Sequence, residues 1–301
     1  MEKKLREKDL NQVSRIVKDR IFVPRSERKV TVFLCGGEVS NEHNARSKMA
    51  YIFSKYPRYE ILYPEDLFDD LLAGQGQHSL LKLESILAES VDAIVLFPES
   101  PGSFAELGAF SNNIKLANKM IVVPNKKFKS DKSFINYGPI RLVKSSKSGK
   151  VTQANYEKMS EETEQYRLYR RVNEYITNIK KICPVQKNVA NILETENFIL
   201  PCIYLIDVID IYGLYKLMKY ATSQDDSLCE IATRSALGRL AHKRLITRTS
   251  SGFQVTAAGR KYVRATFRST YLDRARVEIL NAENRRNSSV SYDRVGIGAH
   301  L

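Results

Sequence analysis

The chain has 301 residues, 43% of them apolar, and a formal net charge of +14. That length holds one large domain or two ordinary ones, and no apolar run approaches the ~18 residues of a membrane span. The positive charge lies in both halves and points to nucleic acid or another polyanion as partner.

Residues 1–28 read as a charged leader with a short helical part. The start, Met1 to Lys8, lacks the apolar core of a signal peptide, so a cytoplasmic protein is expected. Lys29 to Cys35 alternates and then runs apolar, as a buried strand does, and Gly36-Gly37 follows at once. Ala45, Met49, Ile52 and Phe53 have helical spacing. Tyr59 to Tyr63 is a second strand. Pro64-Glu65-Asp66 opens a short helix, and a Gly/Gln loop holds an isolated His78, read as a surface residue. Leu80, Leu83, Ile86 and Leu87 share one helix face, and Asp92 to Phe97 is a third strand.

After it comes Phe97-Pro-Glu-Ser-Pro-Gly-Ser-Phe-Ala-Glu-Leu-Gly108, a strand, a tight loop and a helix from Phe104 to Lys115. Such a junction gathers backbone N–H groups around a site that favours anions. Glu106, one turn into the helix, is the acid placed to face a sugar. The plain alternative is a capping box, Ser103-x-x-Glu106, with Gly108 allowing close helix packing. Lys119 to Val123 is a fourth strand. Alternating strands and helices predict an α/β fold with a Rossmann-like parallel sheet. In such a sheet the ends of the strands carry the ligand, so Cys35, Gly36, Gly37, Glu65, Asp66, Glu99, Ser100, Gly102 and Ser103 are the candidate substrate contacts. Cys35 also reads as a small core residue, and Glu65, Asp66 and Glu99 also read as solvated or helix-start charges. The double glycine is not a G-x-G-x-x-G fingerprint, which argues against a dinucleotide dehydrogenase.

Residues 124–150 are rich in Lys, Ser and Gly and read as loop with one strand, Pro139 to Val143. Residues 155–182 form a long polar helix, and 188–220 hold apolar helical patterns broken at Pro201. Leu228 to Ala232 and Ser235 to Lys243 read as two helices. Leu245 to Thr256 is a hairpin around Ser251-Gly252, and Ala257 to Arg268 a further helix. Together they make a winged-helix pattern, with Arg234, Arg239 and Lys243 facing phosphates or bases and Arg248 on the wing. Winged helices also serve as protein-docking modules. The basic tail beyond Arg268 keeps helical spacing at first, and its end is expected to order on a partner. The four cysteines are scattered without a C-x-x-C pair, so neither zinc nor a disulfide framework is expected, and no cofactor is called for. The expected domains are 1–150 (catalytic), 151–200 (helical connector) and 201–301 (winged helix with basic tail).

On Phe33-Leu-Cys-Gly-Gly37 and Gly102-Ser-Phe-Ala-Glu106-Leu-Gly108, the N-terminal half resembles the nucleoside 2-deoxyribosyltransferase family. The resemblance implies that Glu106 is the nucleophile on the sugar's anomeric carbon. On Tyr63 to His78 and Phe97 to Asn113, the whole chain resembles the deoxyribosyltransferase-like effectors, or toxins, of bacterial retron anti-phage systems. That likeness implies a partner reverse transcriptase with its multicopy single-stranded DNA (msDNA), which hold the toxin inactive until infection. It also implies a homo-oligomer or higher assembly with that complex, and N-glycosidic cleavage of a nucleotide with NAD+ the leading substrate. Deoxyribosyltransferases carry an aspartate six residues before the nucleophile. Here Ser100 stands there, which favours water over a second base as acceptor. Transfer or hydrolysis on another nucleotide, a nucleotide sensor and a non-enzymatic DNA-binding regulator remain alternatives.

Overall fold

The computed structural model describes residues 6–24, 29–63 and 80–287. These fall into two compact units, one of residues 24–193 and the other of 1–23 with 194–301. No helix among the described residues is long and apolar enough to cross a membrane. The first helix, α1 (Glu7–Ile16), belongs to the second unit.

The unit of residues 24–193 is built on a five-stranded parallel sheet. Its strands are β1 (Val30–Cys35), β2 (Tyr59–Leu62), β3 (Ala93–Leu96), β4 (Met120–Val122) and β5 (Lys150–Val151). The order is β2-β1-β3-β4-β5. The chain therefore leaves β1 toward one edge and returns to build the other, and a crevice opens between the carboxyl ends of β1 and β3. The period-2 pattern of β1 assigns its two faces. Val30, Val32 and Leu34 join Ala93, Val95, Ile121 and Val123 in one apolar cluster with α2 (Ala45–Ser54) and α6 (Glu162–Ile182). Phe33 and Cys35 face the other way, toward α3 (Leu80–Ser90), α4 (Pro101–Asn112) and α5 (Pro139–Ser145). Phe33 meets Phe110 of α4 at 6.4 Å between ring centroids.

The long polar helix of the sequence reading, α6, thus lies on the sheet within this unit. Tyr169 stacks on Tyr56 at 3.7 Å, and Tyr59 donates from its hydroxyl to Asn173 Oδ1 at 2.6 Å. Burial pushes the Tyr59 phenol up to about 12, so it stays a donor. At the amino end of β3, buried Asp92 accepts from Thr31 N at 2.8 Å and lies 3.8 Å from both Lys180 and Lys187. This fastens α6 and the segment after it to the sheet.

The segment Pro139 to Val143 is a helix, not the expected strand. Pro139 fits the first helical position, and the buried pair Ile140 and Val143 is spaced i, i+3 while Arg141 and Leu142 are exposed. Period 3 outweighs the apolar composition here.

The second unit contains α1, α7 (Thr195–Ile206), α8 (Ile211–Thr222), α9 (Asp226–His242), the hairpin β6 (Ile246–Arg248) and β7 (Phe253–Val255), α10 (Ala257–Thr266) and α11 (Ser269–Asn287). Pro201 does not break the helical pattern. It sits inside α7, whose residues from Thr195 to Leu205 are all buried, so packing on every side offsets the lost hydrogen bond. The two expected helices at 228–243 are one helix, α9. Its apparent turn, Thr233-Arg234, is helical: Thr233 is buried, and its hydroxyl donates to Cys229 O at 2.7 Å within the helix. The hairpin stands where the sequence places it, and Asp210, Asp225 and Thr256 cap α8, α9 and α10.

Candidate functional site

The site is built where the loops after β1 and β3 meet. Gly37 N donates to Glu99 Oε1 at 3.0 Å, and Ser100 Oγ donates to Gly36 O at 3.0 Å, so the two loops are tied across the crevice. Glu99 also accepts from Ala45 N at 2.7 Å and from Arg46 N at 3.0 Å. A carboxylate at the first turn of α2 satisfies amides that have no partner within the helix and sits at the positive end of its dipole. Glu99 is therefore the joint between β1, α2 and β3.

The two glycines are required by close approach. A Cβ on Gly36 would stand 2.6 Å from Arg46 Cβ and 2.9 Å from Glu99 Oε1, and one on Gly37 would stand 2.5 Å from Asn44 Nδ2. Gly102 and Gly108 differ: nothing lies within 4 Å of a Cβ added to either. The expected close helix packing at Gly108 is absent, because that face of α4 is open. Gly108→Ala is expected to raise stability by about 0.5–1 kcal/mol through helix propensity. Gly36→Ala is expected to lower it by about 1–3 kcal/mol. Denaturant melts of the two variants check the pair, and equal shifts of one sign would contradict it.

The helix α4 begins at Pro101, one turn earlier than its apolar pattern suggests. Ser100 is the N-cap and accepts from Ser103 N at 3.2 Å, while Ser103 Oγ accepts from Ser100 N at 2.9 Å and from Glu99 N at 3.0 Å. The capping box is thus Ser100 with Ser103, and the expected Ser103–Glu106 box is not formed. Pro101, with its fixed φ and missing N–H, suits the first helical position and sets this start. Glu106 falls in the second turn, beyond the cap.

Glu106 is half-buried and turns toward the end of β1. Cys35 there is fully buried, and its thiol is pushed well up, first by burial and then by the Glu106 carboxylate. The Arg46 guanidinium opposes this and Glu84 adds to it. The thiol stays protonated at neutral pH and is no nucleophile. It lies as a hydrogen-bonding neighbour of Glu106 beneath the crevice.

Two residues of this cluster are absent from the sequence reading. Arg46 is only 2% exposed and donates from Nη1 to Gly37 O at 3.0 Å, with its guanidinium 5.1 Å from the centre of the Tyr63 ring. Glu84 is buried on α3. The signal for Arg46 was present: it occupies the same helical stripe as Met49 and Phe53, where an arginine is out of place unless paired. Glu65, Asp66 and His78 lie outside the described residues.

In the second unit, Arg239 and Lys243 both turn to Glu196, which is almost wholly buried on α7. Lys243 Nζ stands 2.7 and 2.8 Å from its two oxygens, and Arg239 Nε 3.4 Å from Oε2. Arg234 pairs with Glu230 at 2.9 Å and lies over Tyr215, while Arg248 is exposed on β6. The four cations therefore differ in their engagements: Arg239 and Lys243 pair with Glu196 of α7, half-buried Arg234 pairs within α9, and Arg248 is exposed.

The STM3845 retron effector protein family matches residues 42–248. An Escherichia coli relative named "Retron Ec86 putative ribosyltransferase/DNA-binding protein" is 46% identical over 302 residues, 98% of each chain. The corresponding Escherichia coli protein of retron Ec73, with the same descriptive name, is 37% identical over 135 residues, 42% of each chain.

Proposed function

The chain belongs to the STM3845 retron effector protein family, and from that premise we propose that it is a toxic effector that cleaves the N-glycosidic bond of a nucleotide, NAD+ foremost. The observation that carries this reading is the placement of Glu106. It is the acid of α4 outside the cap, set over the carboxyl end of β1 at the β1/β3 crevice. The names of the relatives, which speak of ribosyl transfer, support the same chemistry.

In this reading the Gly36–Gly37 turn and the start of α4 hold ribose hydroxyls and phosphate, with Arg46 supplying positive charge beneath them. The bond between C1′ and the pyridinium nitrogen breaks, and its electron pair neutralises the ring nitrogen. Nicotinamide therefore leaves without taking a proton. Glu106 stabilises the cationic sugar or bonds to C1′, and water then attacks that carbon, releasing a proton and ADP-ribose. Ser100 is committed to the cap and to Gly36 O, so it offers no proton relay to a second base. Incubating the free protein with NAD+, and separately with deoxynucleosides plus a free base, tests this by chromatography. Nicotinamide and ADP-ribose are the expected products. Base exchange with untouched NAD+ would replace hydrolysis by transfer.

The partners we propose are the retron reverse transcriptase and its msDNA, which hold the effector inactive. For the second unit we propose a winged helix, with α8 and α9 as the helix pair and β6–β7 as the wing. Arg234 and Arg248 are its surface cations toward DNA phosphates. Arg234→Ala with Arg248→Ala is expected to weaken duplex binding at every sequence and to reduce the salt slope by about 2. An unchanged slope would assign this surface to protein instead.

A further inference from the structure

Half of the chain's net charge comes from one short stretch. Residues 124–150 hold eight Lys and Arg and a single acid, Asp131, a net of +7 against +14 for the whole chain. The same stretch displays aromatic rings to solvent. Phe134 is 82% exposed, Tyr137 61% and Phe128 49%, with Leu142 beside them at 46%. Exposed rings in such number within ten residues are uncommon on a surface with no partner.

The segment that carries them is held in place. Asn125 caps the turn Lys126–Phe128, and Lys126 N donates to Ala154 O at 2.8 Å, which anchors it beside β4 and β5. Asn136 Nδ2 donates to Phe128 O at 3.1 Å and to Asp131 O at 2.8 Å, closing the loop on itself. Ser133 caps Phe134–Tyr137, and α5 then packs on α4. The rings are thus presented on ordered backbone, which lowers the entropy cost of engaging them. The cations Lys126, Lys127, Lys129, Lys132 and Arg141 are all exposed, and Lys127 Nζ lies 4.8 Å from the centre of the Phe128 ring. The platform follows the carboxyl end of β4, next to the strand that leads into the Glu106 helix, so it borders the same edge of the sheet.

We propose that this platform binds single-stranded nucleic acid, with bases stacked on Phe128, Phe134 and Tyr137 and the lysines along the phosphates. The pairing of ring and charge is what distinguishes this partner. Lysine charges alone attract any polyanion, duplex included, but a duplex keeps its base faces stacked internally, and three exposed rings gain from faces that are free. The surface lies on the unit that holds the candidate site, and Arg234 and Arg248 belong to the other unit.

Fluorescence anisotropy of a labelled 20-nucleotide oligo-dT with the full chain tests this across a salt series. Phe128→Ala/Phe134→Ala/Tyr137→Ala is expected to weaken binding by about tenfold or more at every salt, with the slope unchanged. Lys126→Glu/Lys127→Glu/Lys129→Glu is expected to reduce the slope by about 2. Phe134→Ala alone, at the most exposed ring, guards against a folding defect, and Phe134→Trp is expected to restore binding. Four results would overturn the proposal: no binding by the parent, losses confined to Arg234→Ala/Arg248→Ala, aromatic variants that bind as the parent does, or equal ring dependence with a duplex. The readout is binding, and Glu106→Gln is expected to leave it intact, so its failure is distinct from failure of the glycosidase reading.

Discussion

Glu106→Gln is expected to reduce NAD+ cleavage by at least about 10³-fold and to remove toxicity at equal expression, while the thermal midpoint stays within a degree or two of the parent. The substitution keeps shape and removes the charge that would stabilise or bond the sugar cation. Stability is expected to hold because the start of α4 is capped by Ser100 and Ser103 without Glu106. The neighbouring Cys35 thiol loses a carboxylate and accepts an amide in its place, and the desolvation that dominates its raised pKa is unchanged. Turnover and melting of the two proteins, measured together, check the prediction. A variant that cleaves and kills as the parent does would remove Glu106 from the mechanism.

Glu99→Ala is expected to behave in the opposite way, as a structural lesion with a secondary loss of activity. Its carboxylate accepts from Gly37, Ala45 and Arg46 amides, all between 2.7 and 3.0 Å. Charge-assisted bonds to amides each contribute more than neutral ones, and water replaces part of them on the exposed side, so a loss of about 3 kcal/mol is expected. For the unit of residues 24–193, which holds Glu99, that is roughly 6–12 °C in thermal midpoint. Glu99→Gln keeps one acceptor and presents an NH2 to the remaining amides, so it is expected to recover less than half of the loss. Activity should fall with the fold, because the Gly36–Gly37 turn loses its anchor. A full melting temperature with lost turnover would instead make Glu99 a substrate contact.

These two carboxylates show how far the sequence carries. Both stand in one loop-helix stretch, and both read as candidates for the site. What separates them is the start of α4. Pro101 at the first helical position puts Ser100 in the cap and Glu106 beyond it, and the apolar spacing that begins at Phe104 conceals that start. The parallel sheet was legible because β1, β3 and β4 are short apolar runs between helical patterns. The two-residue strand β5 was not, because it has no period of its own and pairs only through register with Ile121 and Val122. The helix at Pro139 and the single helix α9 were misread for one reason. Local composition, an apolar run in one case and Thr233-Arg234 in the other, conceals the i, i+3 burial that tertiary packing imposes. The fate of Arg239 and Lys243 depended on Glu196, more than forty residues earlier in the chain, which no local pattern reveals.

The central claim, that this effector hydrolyses an N-glycosidic bond through Glu106, is tested most directly by mass spectrometry of the reaction with NAD+ in ¹⁸O-water. The account predicts free nicotinamide and ADP-ribose carrying one ¹⁸O at the anomeric position, with neither product formed by Glu106→Gln. Intact NAD+ in the presence of free active protein, or ¹⁸O-labelled products formed equally by the Gln variant, would contradict it.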